Sequence, residues 1–182
     1  DEGLFTDKEN KIIQNIVKLK NVSVKEIMTP RVVVALANES LPLREFLKNK
    51  DYLKFSRIPV FTGNDENITG YVFRQHVFER LAEDEHSLKL QDIKRDILMV
   101  PKSTMLFTLW EKLLEKKEHI AIIVDDYGGL EGIVTMEDVI ETLLGLEIVD
   151  EKDTVADMQK YARERWKARQ EKYNFLQNLD DR

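Results

Sequence analysis

The sequence predicts an α+β fold of two β-α-β-β-α repeats that pack as a pseudo-twofold pair, with a flanking helix at each end. Two observations carry this prediction. The same apolar pattern recurs after a shift of 62 residues, and each copy alternates short β-branched runs with stretches of helical periodicity. A single unit of about 60 residues buries too little of its surface to be stable alone, so the two copies are expected to pack together.

Composition excludes several classes of protein. The chain has 182 residues and no cysteine, which excludes disulfides, thiolate catalysis and Cys-ligated metal sites. Its net charge of −6 argues against nucleic-acid binding, which depends on clustered Lys and Arg. No apolar run approaches the roughly 20 residues that a spanning helix needs, and the acidic start does not resemble a signal peptide. We therefore expect a chain that does not itself cross a membrane.

The first elements are predicted from local patterns. Residues 1–21 are assigned to a linker helix, because Thr6 and Glu9 have the spacing of a capping box and an apolar 3.6-residue period follows. Pro30 ends a short helical stretch. Residues 32–36 form a β-branched run, from which we expect a buried strand.

The two repeats are assigned to residues 22–84 and 85–149. In each, a strand and a helix are followed by two short apolar strands joined by a polar turn, and a second helix closes the copy. The polar turns are residues 63–65 in the first copy and 126–129 in the second. The aligned runs are Ile58-Pro59-Val60-Phe61 with Ile120-Ala121-Ile122-Ile123, Gly70-Tyr71-Val72 with Gly132-Ile133-Val134, and Val77, Phe78 and Leu81 with Val139, Ile140 and Leu143.

The last segment, residues 150–182, differs from the repeats. It carries eight carboxylates and eight bases with a discontinuous apolar stripe, which predicts a partly exposed amphipathic helix and tail. Its basic stretch fits either an anionic lipid surface or a helix that is solvated or packed in a dimer.

Three stretches of sequence resemble a known family. The tandem resembles a cystathionine-β-synthase (CBS) domain pair, also called a Bateman module. Within that superfamily the chain resembles the cytosolic part of the CorC/HlyC (hemolysin-like) and cyclin-M-like magnesium transporters over roughly residues 1–165. The stretches are Val24-Lys25-Glu26-Ile27-Met28-Thr29-Pro30-Arg31, Ser56-Arg57-Ile58-Pro59-Val60-Phe61 and Gly132-Ile133-Val134-Thr135-Met136-Glu137-Asp138-Val139-Ile140-Glu141.

The resemblance implies a partner and a place in the cell. In that family a membrane ion-transport domain, for magnesium or cobalt, precedes the CBS pair and is absent from this chain. Two chains pair through their CBS helices as a homodimer. The resemblance thus implies a module at the cytoplasmic face of the cell membrane, as part of a larger membrane protein.

Thr135 and Asp138 are the first candidate site residues. Their spacing is that of a helix cap, which needs no ligand. The first repeat has Phe73 and His76 at the matching positions, so its helix is expected to begin without this cap. In the CBS family the corresponding Thr and Asp bind the ribose of an adenine nucleotide. We therefore expect one nucleotide per chain, held by the second repeat together with Ile133 from the same motif.

Further residues are assigned partly by the resemblance, which places Arg57, and partly by their own chemistry. Arg57 is placed near the phosphates, where a guanidinium can form bidentate bonds. The strand at 97–101 is expected to line an adenine slot through Ile97 and Val100. Magnesium is expected on the phosphates rather than in a protein metal site, because Mg²⁺ typically binds substrate phosphates with one or two carboxylates. Asp125 and Asp126 are assigned to a turn.

These observations favour a regulatory module that binds an adenine nucleotide, ATP with Mg²⁺ or else ADP or AMP, and controls the attached transport domain. The alternative is a ligand-free dimerisation module, in which Thr135 and Asp138 only cap a helix. Catalysis is not expected, because the sequence contains neither a Gly-rich phosphate loop nor a recognisable general base beside the phosphates.

Overall fold

A computed structural model describes residues 6–145, which form seven α-helices and seven β-strands. The helices are α1 (Asp7–Leu19), α2 (Val24–Ile27), α3 (Leu43–Phe46), α4 (Arg74–Ala82), α5 (Leu90–Ile93), α6 (Leu106–Lys116) and α7 (Met136–Leu144). The strands are β1 (Thr29–Pro30), β2 (Ala37–Asn38), β3 (Arg57–Phe61), β4 (Ile68–Phe73), β5 (Leu98–Pro101), β6 (Ile120–Val124) and β7 (Leu130–Thr135). The helix predicted over 150–182 lies outside the described residues.

The strands form two separate sheets, one for each repeat. β2, β3 and β4 make a three-stranded sheet in that order, and β1, β7, β6 and β5 make a four-stranded sheet. In both, an antiparallel hairpin (β3–β4 or β6–β7) is flanked by a parallel strand (β2 or β5). β4 and β7, and likewise α4 and α7, are separated by the 62 residues of the sequence repeat. The predicted α+β tandem is confirmed.

The chain crosses between repeats near residue 30. β1 pairs antiparallel with β7, and Val24 belongs to the core of the second repeat, although both lie within residues 22–84, which the sequence assigns to the first repeat. Gly132 permits this pairing, because a Cβ at that position would lie 2.4 Å from the Thr29 carbonyl oxygen. Gly70 has the same relation to the carbonyl oxygen of Arg95, which crosses in the opposite direction. The two repeats thus use a glycine at equivalent positions to let a segment crossing from the other repeat pair closely with the strand.

Three apolar cores hold this arrangement together. Two of them lie between a sheet and its helices, one in each repeat. The third contains Tyr71 and Phe73 of the first repeat and Ile122 and Ile133 of the second, and it joins the two repeats. Burying one such side chain contributes about 1.5–3 kcal/mol, so the third core explains why neither repeat is expected to stand alone.

The elements predicted at the N-terminal end have mixed outcomes. α1 begins as expected, with Thr6 accepting a hydrogen bond from the Glu9 amide and Glu9 bonding back to the Thr6 amide. The strand predicted over 32–36 is wrong. Residues Arg31–Val33 form a 3₁₀ turn, and the first strand of that repeat is β2. The Val34 amide donates to the Arg31 carbonyl, so this β-branched run closes a local turn instead of pairing in a sheet.

Candidate functional site

The candidate site begins where β7 becomes α7. Thr135 is extended and is the N-cap of α7, and Asp138 is the third helical residue. Asp138 Oδ2 accepts hydrogen bonds from the Thr135 amide at 2.6 Å and from the Thr135 hydroxyl at 2.8 Å. The Asp138 amide donates to Thr135 Oγ1 at 3.4 Å. The capping interpretation of this pair is therefore confirmed as a structural feature.

The cap leaves part of the Asp138 carboxylate available. Both accepted bonds end on Oδ2, so Oδ1 takes no part in the capping box. Burial raises the pKa of Asp138 to about 6, and the negative charge of Glu137 adds to the rise, whereas the bonds from Thr135 act in the opposite direction. Capping and ligand binding are thus compatible, since they use different oxygens.

The first repeat has no such cap. α4 begins after Phe73, which makes no side-chain capping bond. His76, at the position that corresponds to Asp138, accepts a hydrogen bond on Nε2 from Arg80 at 3.2 Å instead. The expected difference between the two helix starts is confirmed.

Arg57 reaches from the first repeat to the start of α7. It begins β3 and lies in register with Phe73, and its guanidinium lies 4.9 Å from the centre of the Phe73 ring. Arg57 Nη1 lies 3.7 Å from Glu137 Oε1, which forms an ion pair between the repeats. The structure therefore brings Arg57 to the same helix start as Thr135 and Asp138.

This ion pair is incompletely satisfied. The side chains of Arg57 and Glu137 are only 15% and 28% exposed. Arg57 Nε and Glu137 Oε2 are buried and have no hydrogen-bond partner among the described residues. A buried polar atom without a partner costs about 1–3 kcal/mol, which makes this pair the most direct indication of a site for a polar ligand.

The predicted adenine slot is only partly assembled. Ile97 and Ile133 belong to the core between the two sheets. Val100 lies in register with Ile123 and packs on the opposite face of its sheet, among the helices of the second repeat. The structure brings the first two together and places Val100 elsewhere. Met99, in register with Ile122 and 46% exposed, is the neighbouring strand residue on the inter-repeat face.

The other polar candidates behave as structural groups. Asp125 Oδ1 accepts from the amides of Tyr127 and Gly129, each at 2.8 Å, which confirms the turn interpretation. These bonds lower the pKa of Asp125. Within residues 6–145, no three His, Asp or Glu side chains converge on a metal-sized site. No helix in the same range is long and apolar enough to span a bilayer.

Sequence reasoning missed two members of this site. Glu137 lies between Thr135 and Asp138 in sequence but has no role in the prediction from sequence, because only the fold brings it within 3.7 Å of Arg57. Phe73 was noted only because it cannot cap a helix, and its contact with Arg57 depends on strand register.

The chain is similar in sequence to a family of known proteins. A family model described as CBS domain matches residues 90–145. Hemolysin C of Brachyspira hyodysenteriae is 38% identical over 149 residues, which cover 82% of this chain and 54% of that protein. The chain spans about half the length of the curated bacterial relatives that it matches.

Two solved structures are similar over most of the chain. One is the CBS domain of a bacterial CNNM/CorC family Mg²⁺ transporter in complex with an inhibitor, with a TM-score of 0.76 and 32% identity, covering 81% of this chain and 91% of that one. Another is such a domain in complex with ATP, with a TM-score of 0.71 and 31% identity, covering 76% and 99%.

Proposed function

Because the chain belongs to the family of CBS domains found in bacterial CNNM/CorC Mg²⁺ transporters, we propose that it is a regulatory module that binds an adenine nucleotide, ATP with Mg²⁺, and controls an attached membrane transport domain. Domains of this family are regulatory or associated with transport, and we propose that this one has no catalytic activity of its own.

The unsatisfied pair Arg57 and Glu137 is the observation that carries the proposal. A ligand that satisfies both atoms must offer an acceptor to Arg57 Nε and a donor or cation to Glu137 Oε2. A phosphate group that carries Mg²⁺ offers both, because its oxygens accept from the guanidinium and the hydrated metal interacts with the carboxylate. A bare phosphate would be repelled by Glu137.

The residues at the start of α7 suit the sugar of the same ligand. Asp138 Oδ1 is outside the capping box and can accept from a ribose hydroxyl. Ile133 and Ile97 supply apolar surface for the base beside it. The complex of a similar domain with ATP supports the choice of nucleotide.

Magnesium would arrive on the phosphates. Glu137 is the residue here that would interact with it, since its Oε2 is buried and unpartnered beside Arg57. The metal would neutralise phosphate charge next to an acidic side chain. The carboxylate and the guanidinium of this chain orient the phosphates.

The proposed regulatory role requires a membrane domain in the parent protein. Since the chain spans about half of its curated relatives, we propose that the parent protein carries a membrane domain and that this module lies at its cytoplasmic face. A ligand shifts such a module between arrangements only by the difference in its affinity for them. Nucleotide binding would therefore favour one arrangement of the module relative to the transport domain.

Isothermal calorimetry with ATP, with and without Mg²⁺, tests the proposal. We expect saturable binding near one nucleotide per chain that is strengthened by Mg²⁺. Asp138→Ala should weaken ATP binding at least tenfold. The matched control is Glu9→Ala, which removes the same type of capping box from α1 and should leave affinity unchanged. Binding that survives in Asp138→Ala would refute the site, and absence of heat and thermal shift with any adenine nucleotide would refute the function.

A second candidate function is dimerisation without a ligand. Phe78 on α4 and Ile140 on α7 occupy matching positions in the repeats, and both are exposed. Paired apolar groups on the last helix of each repeat suit an interface between two copies. Light scattering should show a dimer that Ile140→Asp disrupts and that Val17→Asp, the same type of change at an exposed position of α1, does not. A monomer in the unaltered chain would exclude this function.

A further inference from the structure

We propose that Arg95 is a second phosphate-binding residue, which contacts the outer phosphates of a bound nucleoside triphosphate and makes affinity depend on the number of phosphates. This inference rests on the proposed nucleotide site and adds to it the determinant of ligand length.

Backbone pairing places Arg95 on the same face as Arg57. The amides and carbonyls of Tyr71 and Arg95 bond to each other, at 2.9 and 2.8 Å, and Arg57 lies in register with Phe73. Tyr71 and Phe73 are two residues apart on β4, and alternate residues of a strand share a face. Both arginines therefore lie on the face of the first repeat that meets the second repeat, where Tyr71 and Phe73 contribute to the shared core.

The two guanidinium groups share one aromatic ring. Arg57 Cζ lies 4.9 Å and Arg95 Cζ 5.6 Å from the centre of the Phe73 ring. The two charges are thus held on a single platform by cation–π contacts. Lys94, the preceding residue, is directed elsewhere, since its ammonium lies 2.6 Å from Glu39 Oε2. Arg95 therefore adds a second positive charge on the same ring as Arg57.

The charges around this platform leave Arg95 without an anionic partner. Arg95 is exposed and makes no ion pair within 4 Å with any residue in the range 6–145, whereas Arg57 already has Glu137. Glu118 lies near Tyr71 on this side of the molecule, where its Oε2 accepts from the Tyr71 hydroxyl at 2.8 Å. Burial and Glu118 raise the pKa of Tyr71 to about 12, and both arginines act against that rise, as expected if both face the phenol.

An anion long enough to reach both arginines would stabilise this arrangement. Two guanidinium groups on one ring repel each other, and an anion that bridges them removes the repulsion. A single phosphate bound at Arg57 would neutralise the positive charge of Arg57 beside the start of α7. Further phosphates continue the chain of oxygens toward Arg95, where a guanidinium can form bidentate bonds.

Calorimetry of ATP, ADP and AMP in the presence of Mg²⁺ tests the role of Arg95. We expect Arg95→Gln to weaken ATP binding about tenfold and to leave AMP binding within twofold. Arg95→Lys should give an intermediate loss for ATP, because it keeps the charge but not the bidentate geometry. Arg44→Gln is the matched control, since Arg44 is an exposed arginine on α3 without an ion pair in the described region, and its loss should change neither affinity.

Distinct outcomes would overturn the inference. Equal losses for ATP and AMP in Arg95→Gln would mean that Arg95 acts on the site as a whole and does not read phosphate number. Unchanged ATP binding would mean that Arg95 does not contact the ligand. Either result leaves the proposed function standing, provided that the unaltered chain binds ATP. If the unaltered chain binds no adenine nucleotide, both proposals fail together.

Discussion

Asp138 should make the stability of this chain fall as pH rises. Its pKa is raised from 3.8 to about 6 in the folded chain, mainly by burial. The folded state therefore keeps this proton to higher pH than the unfolded state does. The stability that protonation contributes is complete below about pH 4 and is lost as pH rises through 6. A rise of about two pKa units corresponds to about 3 kcal/mol of unfolding free energy.

Asp138→Asn isolates this effect. The amide oxygen can accept the same bonds from Thr135, but the side chain does not titrate. The assay is urea unfolding of both proteins at several values between about pH 4.5 and 7.5. We expect the original chain to lose about 2 kcal/mol relative to the variant across this range, because the unfolded chain has already lost most of this proton at pH 4.5. Other titrating groups contribute to both proteins and cancel in the difference.

The sign of the difference decides between two physical pictures. A carboxylate that accepts capping bonds at a helix start ordinarily has a lowered pKa, and its loss by protonation then destabilises the fold at low pH. A stability difference that stays flat, or that grows in favour of the original chain as pH rises, would show that capping outweighs burial. The reasoning about Asp138 would then be refuted.

Two further predictions concern the fold. Gly132→Ala should lower the free energy of unfolding by about 2–3 kcal/mol, because the new Cβ would lie 2.4 Å from the Thr29 carbonyl oxygen. A urea midpoint within error of the original would contradict the close pairing of β1 with β7. Leu109→Ala, in the core of the second repeat, should cost about 2–5 kcal/mol in the same assay. Leu114→Ala, at an exposed position of the same helix, should cost less than about 0.5 kcal/mol, and similar costs at both positions would contradict the assigned core.

Local patterns were read well from the sequence. The capping boxes at Thr6 and Thr135 and the absence of a cap at Phe73 depend on residues three positions apart, so the chemistry of a few side chains suffices to predict them. The two repeats were visible for a similar reason, because each carries its own strand and helix periodicity.

Prediction failed where pairing partners decide the outcome. The run at 32–36 has the composition of a strand, but it begins with a local 3₁₀ turn in which the Val34 amide bonds to the Arg31 carbonyl and to no partner strand. Val100 and Ile97 were both expected to line the adenine slot because both are apolar. Ile97 directly precedes β5 and lies in the core between the repeats, whereas the register of β5 with β6 places Val100 on the opposite face, among the helices.

The tandem fold, the family and the start of α7 with Thr135 and Asp138 can be predicted from the order of residues, because they follow from repeated patterns and short-range spacing. The contact of Arg57 with Glu137 and the position of Arg95 on the Phe73 ring depend on how the chain folds. These residues are far apart along the chain and lie on different elements. They come together because two sheets of fixed register pack face to face, and side-chain charge alone does not specify that packing.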